Sequence, residues 1–546
     1  MASSSSALHD ALRRYWGYES FRPLQENIVT SLSEGRDTCV VMPTGGGKSL
    51  CYQLPAALDA ARTAVVVSPL IALMQDQVAQ LEQIGISAGL LNSSLDHAAQ
   101  ARVMRAARSG RFRLLYLSPE RLVREETFAW LADVPVSFFV IDEAHCISQW
   151  GHEFRPDYRQ LRTLREKFPE RPIAAFTASA TQRVRHDIMA QLSLRDPRKF
   201  IASFHRPNLR YIAKQCEGRS QGELLLRGLR RYPEGNVIVY APTIKRVEET
   251  AAFLEQQGIP AVPYHGQMDA ESRRRNQERW MADDVRVLVG TIAFGLGINK
   301  PNVRAVIHLA LPQSLENYYQ EAGRAGRDGL PADCVLLWQK RDLGLLAYFI
   351  KEIADRDEQN RAWDRYRDIT GFAESGRCRH LEICAHFGER PKWTSCGSCD
   401  ACGVKLDWLE EPVAASRPRR DRRRKEAPPS PSSLAGPLSA SGGFRPGASS
   451  GKSGPEKVPL VPVPVLDAGL REHLREWRRT TAKEQGVPAF VVLHDTALDD
   501  LCRVQPTTLA QLRGVFGFGE IKTERYGPAI LAALAAHRSG RLKATD

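Results

Sequence analysis

The sequence predicts an α/β protein with two parallel-sheet domains, a helical metal-binding module and a small all-helical domain. Two series of short β-branched runs alternate with amphipathic stretches, which indicates strands buried on both faces and joined by crossover helices. Five cysteines lie between Cys378 and Cys402, and four of them are expected to bind one metal ion. Helical periodicity returns in the C-terminal part of the chain, after a stretch that lacks it.

The first α/β domain is expected over residues 1–207 and the second over residues 208–340. The predicted strands of the first domain are TCVVM, TAVVV, RLLYL, SFFVI and PIAAF. Those of the second are NVIVY, IPAVPY, RVLVG and AVIHL, separated by helical stretches such as Ile244–Gln256 and Ser314–Ala325. Short apolar strands that alternate with helices are typical of parallel sheets.

Three further regions follow the second domain. Residues 341–402 have a helical pattern and end in the cysteine cluster, so we expect a helical metal-binding module there. Residues 403–465 include RPRRDRRRKE and PPSPSS and lack the apolar periodicity needed to bury a core, which predicts a disordered linker. Residues 466–546 are expected to form a compact helical domain.

Composition and charge favour a polyanionic partner. Lys and Arg exceed Asp and Glu to give a formal net charge of +13. Nucleic acid is the leading candidate, although an acidic membrane or a plain solvated surface would also accommodate this charge. The sequence has no apolar run near the roughly 20 residues that would span a bilayer, and its N-terminus does not read as a secretion signal. We therefore expect a cytoplasmic protein without a membrane partner.

A nucleotide site is predicted by the run VVMPTGGGKS, which follows a strand and precedes a helix. Its glycines allow backbone N–H groups to approach phosphate oxygens, and the helix N-terminus adds a positive dipole. Lys48 is expected to meet the β and γ phosphates, and Ser49 to ligate Mg²⁺. Met42 stands where the general pattern has glycine, and the alternative is a flexible glycine turn. The residues assigned to the nucleotide are Thr44, Gly45, Gly46, Gly47, Lys48 and Ser49.

An acidic pair, Asp142 and Glu143, follows the apolar strand SFFVI. The two side chains should project at the carboxyl edge of the sheet, where ligands bind in open α/β folds. Asp142 is expected to hold Mg²⁺ and Glu143 to orient or deprotonate the attacking water. An isolated acidic pair is more often a helix N-cap with a neighbour. The phosphate loop upstream favours the catalytic interpretation.

Two arginines in the second α/β domain, Arg324 and Arg327, lie three residues apart in QEAGRAGRDG, at the end of a predicted helix. At this spacing both can face the same direction. If the two domains close on one nucleotide, these guanidiniums can neutralise charge on the transferred phosphoryl group. The alternative is a surface helix end whose arginines interact with the helix dipole.

The cysteine cluster predicts a structural zinc site. Cys396, Cys399 and Cys402 are each separated by two residues, so their thiolates can converge on one ion. A fourth ligand would close the coordination shell and leave no catalytic position. Spacing alone leaves that ligand open, and a reactive dithiol is the alternative interpretation. The candidates for the fourth ligand are Cys378, Cys384, His380 and His386.

Several motifs occur in the order found in one known family. They are FRPLQ, MPTGGGKS, SPLIALMQDQ, SPERL, DEAH, SAT, AFGLGINKPNVR and QEAGRAGRDG. This series resembles superfamily 2 helicases, and DEAHCISQWGHEFRPDY is especially similar to the RecQ family of DNA helicases. The resemblance covers most of residues 8–402. It implies two RecA-like domains, ATP with Mg²⁺ as cofactors, a zinc module that includes Cys378, and 3′ to 5′ movement on single-stranded DNA.

The resemblance also implies roles for single residues. Arg22 and Gln25 match the adenine-recognition motif; alone they would form an ordinary polar turn. An aromatic-rich loop that senses single-stranded DNA would include Trp150, Phe154, Arg155 and Tyr158. A core aromatic cluster is the alternative for Phe154 and Tyr158. The motif that contacts nucleotide and DNA backbone includes Gly295, Asn299 and Lys300, and its alternative is a glycine turn.

The C-terminal domain resembles the HRDC module, a helical nucleic-acid-binding accessory of many RecQ proteins. Gly517, Gly519 and Lys522 can present a helix start to a phosphate, although protein contact is an equal candidate. The winged-helix domain that family members commonly place before HRDC has no evident counterpart. The basic run Arg417–Lys425 in the linker is either a phosphate clamp or a solvated tether.

These features predict an ATP-dependent DNA helicase of RecQ type, acting in DNA repair or recombination. Its expected partners are single-stranded and forked or branched DNA, with single-strand-binding or repair proteins as further candidates. A translocase or annealing factor that unwinds poorly is the first alternative, because the winged helix is missing. A non-catalytic DNA-binding scaffold is the second. Intact Lys48, Asp142, Glu143, Arg324 and Arg327 argue against the scaffold.

Overall fold

The computed structural model describes residues 5–92, 95–151, 153–217, 220–233, 235–292, 300–409, 467–487 and 489–540. It confirms the predicted fold class: two parallel sheets with flanking helices, a helical module and a C-terminal helical domain. Most of the predicted linker, from residue 410, lies outside the described residues, as do Gly295 and Asn299.

The first sheet has seven parallel strands in the order β3-β4-β2-β5-β6-β1-β7. Its central strands are completely buried, as continuous apolar runs between two helical layers should be, whereas β7 at the edge is mostly exposed. The strands are β1 (Thr38–Val41), β2 (Thr63–Val67), β3 (Ala88–Leu91), β4 (Leu114–Leu117), β5 (Val136–Ile141), β6 (Ile173–Thr177) and β7 (Arg198–Ile201).

Helices cover both faces of this sheet and connect its strands. A π-helical turn, Leu12–Trp16, follows the first helix, and Gly17 ends it in a left-handed conformation. The α-helices are α1 (Ser5–Ala11), α2 (Gln25–Ser33), α3 (Lys48–Leu58), α4 (Ile71–Gln83), α5 (His97–Arg108), α6 (Pro119–Leu122), α7 (Glu125–Leu131), α8 (Pro156–Arg159), α9 (Thr163–Lys167) and α10 (Gln182–Gln191).

The second sheet has six parallel strands in the order β10-β11-β9-β12-β13-β8. Its strands are β8 (Leu209–Gln215), β9 (Asn236–Tyr240), β10 (Ala261–Tyr264), β11 (Val287–Gly290), β12 (Val303–His308) and β13 (Ala332–Trp338). The helices of this domain are α11 (Ser220–Arg231), α12 (Ile244–Gln256), α13 (Ala270–Met281) and α14 (Leu315–Ala322). In both sheets the carboxyl ends of parallel strands share one edge, so loops from that edge can build a common site.

The cysteine module begins with three helices, α15 (Lys340–Lys351), α16 (Arg356–Glu374) and α17 (Arg379–His386). After the cysteines, Trp408 and Leu409 are buried against the second α/β domain, and the Trp408 ring lies over Gly228 of α11. The sequence composition predicts a linker that begins at residue 403. The structure instead holds residues 403–409 against this domain, because their apolar side chains find a partner that periodicity alone does not reveal.

The C-terminal domain consists of α18 (Ala468–Gln485), α19 (Ala489–Val492), α20 (Asp495–Val504), α21 (Leu509–Leu512) and α22 (Glu520–Arg538). Its core is one apolar cluster that includes Leu474, Leu501, Leu512 and Ile530. Within the described part of the chain, none of the helices combines the length and the apolar character needed to cross a membrane.

Candidate nucleotide site between the two α/β domains

The phosphate loop connects β1 to the first turn of α3. Gly45 and Gly47 adopt left-handed conformations, with φ of 81° and 82°. A Cβ at Gly47 would also lie 2.3 Å from Nε2 of Gln25, so backbone and packing together require glycine there. The ammonium of Lys48, the first residue of α3, donates a hydrogen bond of 3.2 Å to the main-chain oxygen of Met42.

Arg22 and Gln25 hold this loop from one side. A guanidinium nitrogen of Arg22 donates to the carbonyl oxygen of Gly45 over 2.6 Å. Nε2 of Gln25 donates to the carbonyl oxygen of Gly47 over 3.1 Å, while its Oε1 accepts from the main-chain N–H of Arg22 over 2.8 Å. The two residues assigned to adenine recognition therefore contact the phosphate loop directly.

The acidic pair lies at the carboxyl end of β5, beside Lys48. Burial and the neighbouring Glu143 raise the pKa of Asp142 to about 7, and Lys48 opposes this rise. Burial lowers the pKa of Lys48, whereas Glu143 and Asp142 counteract that effect. Glu143 has a positive φ of 47°, a conformation that non-glycine residues rarely adopt and that is concentrated at functional sites. The three charged groups are thus held close together in a buried environment.

The residues present fit a magnesium ion that binds together with nucleotide phosphates. Ser49 and Asp142 line the same cavity, and they offer the hydroxyl and carboxylate oxygens that Mg²⁺ prefers. Asp142 accepts a hydrogen bond of 3.0 Å from the main-chain N–H of Glu143, which orients its carboxylate.

The second α/β domain brings arginines to this cavity, which has a volume of about 1620 Å³. Arg324 and Arg327 line it together with Lys48, Asp142 and Glu143. Burial, Arg324 and Arg206 lower the pKa of Arg327 to about 9, which indicates a concentration of positive charge. An anionic ligand would relieve the repulsion within this group.

Arg206 also contributes to the site, although the sequence analysis did not single it out. Its guanidinium donates to the carbonyl oxygen of Thr44 over 2.9 Å and to that of Gly326 over 3.3 Å. Oγ1 of Thr44 donates to the carbonyl oxygen of Gly323 over 3.1 Å. The phosphate loop is therefore joined directly to the arginine segment of the other domain. No motif predicts Arg206, because its role depends on the packing of the two sheets.

A chain of polar side chains leads away from Glu143 towards the second domain. Nδ1 of His145 lies 3.3 Å from Oε2 of Glu143 and 2.9 Å from Oγ1 of Thr177. Thr177 donates to the carbonyl oxygen of Ser179 over 3.1 Å, and Ser179 Oγ accepts from Nε2 of Gln320 over 2.9 Å. Burial alone would lower the pKa of His145, but contacts with Cys146 and with Glu143 raise it well above its ordinary value.

The aromatic loop presents one ring to the surface. Trp150 is 40% exposed, and two guanidiniums lie near its ring. The Cζ atom of Arg183 is 3.0 Å from the ring centroid and that of Arg361, in α16 of the cysteine module, is 5.4 Å away. An exposed ring with adjacent cations is suited to bases and phosphates of a single strand.

The other residues predicted for this loop differ in position. Tyr158 is fully buried, and its hydroxyl donates to the main-chain oxygen of Asp142 over 3.0 Å. The prediction of a DNA contact at Tyr158 is therefore corrected: the ring is a core residue that supports the acidic pair. Phe154 is half-buried with the Arg159 guanidinium 5.9 Å from its ring, and the main chain of Arg155 bonds to Cys146.

Lys300 is also placed differently from the prediction. It is buried, and its ammonium lies 2.7 Å from a carboxylate oxygen of Asp283. It also donates to the main-chain oxygens of Trp280 and Met281 over 2.9 Å each. These contacts hold the Lys300 side chain inside the protein. Asn299 and Gly295, predicted for the same motif, lie outside the described residues.

The four cysteines Cys378, Cys396, Cys399 and Cys402 fit a zinc ion. Their sulfur atoms all lie within 4.8 Å of one another. The sulfurs of Cys396 and Cys402 are 3.8 Å apart. Two ligands of a tetrahedral zinc ion with Zn–S bonds of about 2.3 Å would be separated by about this distance. The geometry supports a closed, structural site.

The other three candidates for the fourth zinc ligand, Cys384, His380 and His386, each have contacts outside the four-cysteine group. Cys384 is fully buried in the apolar core, and burial together with Glu389 raises the pKa of its thiol. Nε2 of His380 lies 3.1 Å from the carbonyl oxygen of Arg206, and His386 pairs with Glu316 at 2.7 Å. Among the candidates for the fourth ligand, the geometry of the cluster favours Cys378.

Four known families match successive segments of the chain. The DEAD/DEAH box helicase family matches residues 22–188, and the helicase conserved C-terminal domain matches residues 220–329. The RecQ zinc-binding family matches residues 340–403 and the HRDC domain residues 467–534. Residues 404–466 lie between the last two matches.

Curated relatives extend this similarity to nearly the whole chain. The "ATP-dependent DNA helicase RecQ" of Haemophilus influenzae is 35% identical over 595 aligned positions, which cover 97% of this chain and 96% of the relative. The protein of the same name from Bacillus subtilis is 32% identical, with 96% and 98% covered. The first alignment is longer than the 546-residue chain, so it includes positions that this chain lacks.

Solved structures share the fold. Mss116p bound to single-stranded RNA and AMP-PNP has a TM-score of 0.52 at 20% identity, covering 70% of this chain and 88% of that one. MrfA bound to DNA and AMPPNP has a TM-score of 0.50 at 20% identity, covering 62% and 51%. With the curated relatives and the zinc-binding and HRDC matches, the chain belongs to the RecQ family of helicases.

Proposed function

We propose that this protein is an ATP-dependent DNA helicase of RecQ type, which couples ATP hydrolysis to 3′ to 5′ movement on single-stranded DNA and to duplex unwinding. The observation that carries the proposal is a cavity lined by residues of both α/β domains. Lys48, Asp142 and Glu143 line it from one side and Arg324 and Arg327 from the other. Enzymes that bind nucleotide between two such domains use hydrolysis to open and close the interface.

The first α/β domain binds and polarises the nucleotide. Lys48 neutralises the β and γ phosphates, and the phosphate loop cradles them with main-chain N–H groups. Ser49 and Asp142 would hold Mg²⁺, which supplies charge neutralisation to the phosphates when bound. Glu143 orients the attacking water and accepts its proton. The ring of His145 contacts the carboxylate of Glu143 and holds its orientation.

The second domain completes the site. Arg324 and Arg327 meet the negative charge that develops on the transferred phosphoryl group. Arg206 supports this step because it ties Thr44 of the phosphate loop to Gly326 of the arginine segment. Loss of the transferred phosphate would therefore alter contacts in both domains.

Trp150 supports the coupling to DNA. It lies on the exposed loop that follows the acidic pair, and base stacking on a single aromatic ring contributes about 1–3 kcal/mol. Tyr158 belongs to the same segment and bonds to the main chain of Asp142. If single-stranded DNA displaces this loop, the movement would accordingly shift Asp142, whose carboxylate is proposed to bind Mg²⁺.

The expected domain limits and partners remain part of this proposal. The boundaries at residues 207, 340, 402 and 465 separate the two α/β domains, the zinc module, the linker and the C-terminal domain. Forked or branched DNA is the proposed substrate in repair or recombination, and single-strand-binding or repair proteins are the proposed partners. The formal net charge of +13 supports a cytoplasmic, nucleoid-associated protein if the source is bacterial.

ATP turnover with and without single-stranded DNA tests the proposal. We expect hydrolysis that DNA stimulates and that Lys48→Ala abolishes, because Lys48 is the loop's only side-chain cation for the phosphates. Binding of labelled single-stranded DNA should persist in the variant. A wild-type protein without turnover in either condition would instead support the DNA-binding scaffold.

A translocase that unwinds poorly is the second candidate. Residues 410–466, before the HRDC match, have the Pro-, Ser- and Arg-rich composition that is typical of a tether. A forked-duplex assay on the full chain and on a version ending near Gly403 separates the two. Unwinding by the full chain alone assigns strand separation to the C-terminal part, and failure of both, with ATPase intact, supports the translocase.

A further inference from the structure

The C-terminal helical domain is docked on both α/β domains in this structure. On the first, Gln83 at the end of α4 accepts hydrogen bonds from Arg525 over 2.6 Å and from the hydroxyl of Tyr526 over 2.5 Å. On the second, the carboxylate of Asp283 lies 3.0 Å from Arg475 and 3.6 Å from Arg478. The domain thus bridges the two bodies that form the nucleotide cavity.

A third contact reaches the segment just before the adenine-recognition motif. The ring of Phe516 stacks on that of Tyr18, with centroids 4.9 Å apart and an angle of 27° between the planes. A Cβ on Gly519 would lie 2.4 Å from the carbonyl oxygen of Arg14, so the turn that carries Phe516 sits directly on the π-helical turn. The start of α22, for which phosphate contact and protein contact are equal candidates, makes a protein contact in this structure.

Phe516 is held out of its own domain's core. Its side chain is 39% exposed, and its main-chain N–H donates to a carboxylate oxygen of Asp500 over 2.8 Å. Both Phe516 and Tyr18 line the cavity that contains Arg22 and Lys48. Phe516 therefore keeps part of its surface exposed while one face of its ring packs on a residue of another domain, and aromatic residues are enriched at such contacts.

We propose that Phe516 is a positioning residue for the nucleotide. Its ring stacks on that of Tyr18 and so holds Tyr18 in place in the cavity lining that also includes Arg22. Docking of the C-terminal domain then tightens nucleotide binding without contributing a group to hydrolysis. This inference goes beyond the proposed helicase function and rests on its ATP site. It assigns to residues 467–540 a role in cis, at the protein's own nucleotide pocket.

Steady-state ATP turnover of the full chain, with saturating single-stranded DNA, tests the proposal through Phe516→Leu. An aromatic pair of this kind corresponds to about a twofold to tenfold rise in the KM for ATP, with kcat unchanged. The dissociation constant for ADP, measured by calorimetry, should rise by the same factor. Phe516→Tyr keeps the ring and should restore both values. An unchanged KM, or a loss confined to kcat, overturns the proposal.

A double-mutant cycle shows whether Phe516 acts through Tyr18. In a Tyr18→Leu background, Phe516→Leu should cause no further rise in the KM, whereas the same rise in both backgrounds would overturn the mechanism. Val504→Ala alters an exposed apolar residue of the same domain and should leave the KM unchanged. Gln83→Ala weakens docking at another contact and should raise the KM by less than Phe516→Leu does, because the Phe516 ring is kept; a larger rise than that of Phe516→Leu would show that docking acts through another group and would overturn the role of the ring. Absence of turnover in the wild type would instead refute the helicase function, since ADP binding reports on Phe516 separately.

Discussion

Nε2 of Gln320 donates a hydrogen bond of 2.9 Å to Oγ of Ser179, and both side chains are buried. The bond joins α14 of the second α/β domain to the loop that follows β6 in the first. Through Thr177 it is connected to His145, beside Glu143. Hydrogen bonds on the two sides of Ser179, at its Oγ and at its main-chain oxygen, therefore connect α14 of the second domain to the surroundings of Glu143.

Gln320→Ala should lower DNA-stimulated kcat by about tenfold, because it leaves the Ser179 hydroxyl unpaired at a cost of about 1–3 kcal/mol in the closed state. Turnover measured with and without single-stranded DNA checks this. The control is Gln191→Ala, since that glutamine bonds to Asp187 within its own helix. An unchanged kcat for Gln320→Ala would exclude a coupling role for the bond.

Arg327→Ala should reduce kcat by about 10³-fold or more, whereas the affinity for ATP should change little. The reason is that the guanidinium is proposed to stabilise negative charge that develops only in the transition state of phosphoryl transfer. Single-turnover hydrolysis and nucleotide binding, measured on the same preparation, separate the two effects. Arg231→Ala, at an exposed position of the same domain, is the matched control. A loss of binding with normal single-turnover rate would assign Arg327 to ground-state affinity instead.

Lys522→Met should stabilise the C-terminal domain at pH 7. Burial lowers the pKa of Lys522 from its ordinary 10.5 to about 8, so the unfolded chain holds the proton more tightly than the folded one. The charged side chain therefore costs stability at every pH below about 8, and the cost disappears as pH rises towards about 10.5. Replacement by an uncharged chain of similar length should contribute up to about 3 kcal/mol at pH 7.

Thermal unfolding of wild type and Lys522→Met at pH 7 and pH 10 measures this effect. The difference in Tm should be large at pH 7 and small at pH 10. A difference that is equal at both values would show that packing, and not the buried charge, determines the result.

Cys378→Ala should remove zinc from the purified protein, and Cys384→Ala should retain it. The sulfur of Cys378 belongs to the four-cysteine group, while Cys384 packs in the apolar core. Metal content by atomic emission distinguishes the two variants. The variant without zinc should also have a lower Tm, because the binding of a structural zinc ion contributes directly to the free energy of folding. Retention of one zinc per chain in Cys378→Ala would contradict the ligand set.

The sequence predicts the strands that are continuous apolar runs, such as SFFVI and TAVVV, because burial on both faces leaves a strong local pattern. The predicted strands do not include β8 and β13 of the second sheet or β3 and β7 of the first. The segment AGLL is short and contains no β-branched residue, and RKFI is an edge strand with charged side chains. Their pairing depends on neighbours that are distant in sequence.

The site shows the same division. The phosphate loop and the acidic pair each occupy one loop after one strand, so local sequence and strand order are sufficient to bring them together. Arg206 and Phe516 belong to the site through packing between domains, which leaves no local pattern. Tyr158 illustrates the converse, since an aromatic residue in a recognised motif proves to be buried.

Unwinding of a duplex with a 3′ single-stranded tail, by the wild type and by Glu143→Gln, tests the central claim most directly. The variant keeps the size of the side chain and removes its charge, so it should bind ATP and DNA. We predict ATP-dependent strand separation by the wild type and none by Glu143→Gln. Equal unwinding by both proteins, or unwinding by the wild type without ATP, would contradict the conclusion that hydrolysis in the cavity between the two α/β domains drives strand separation.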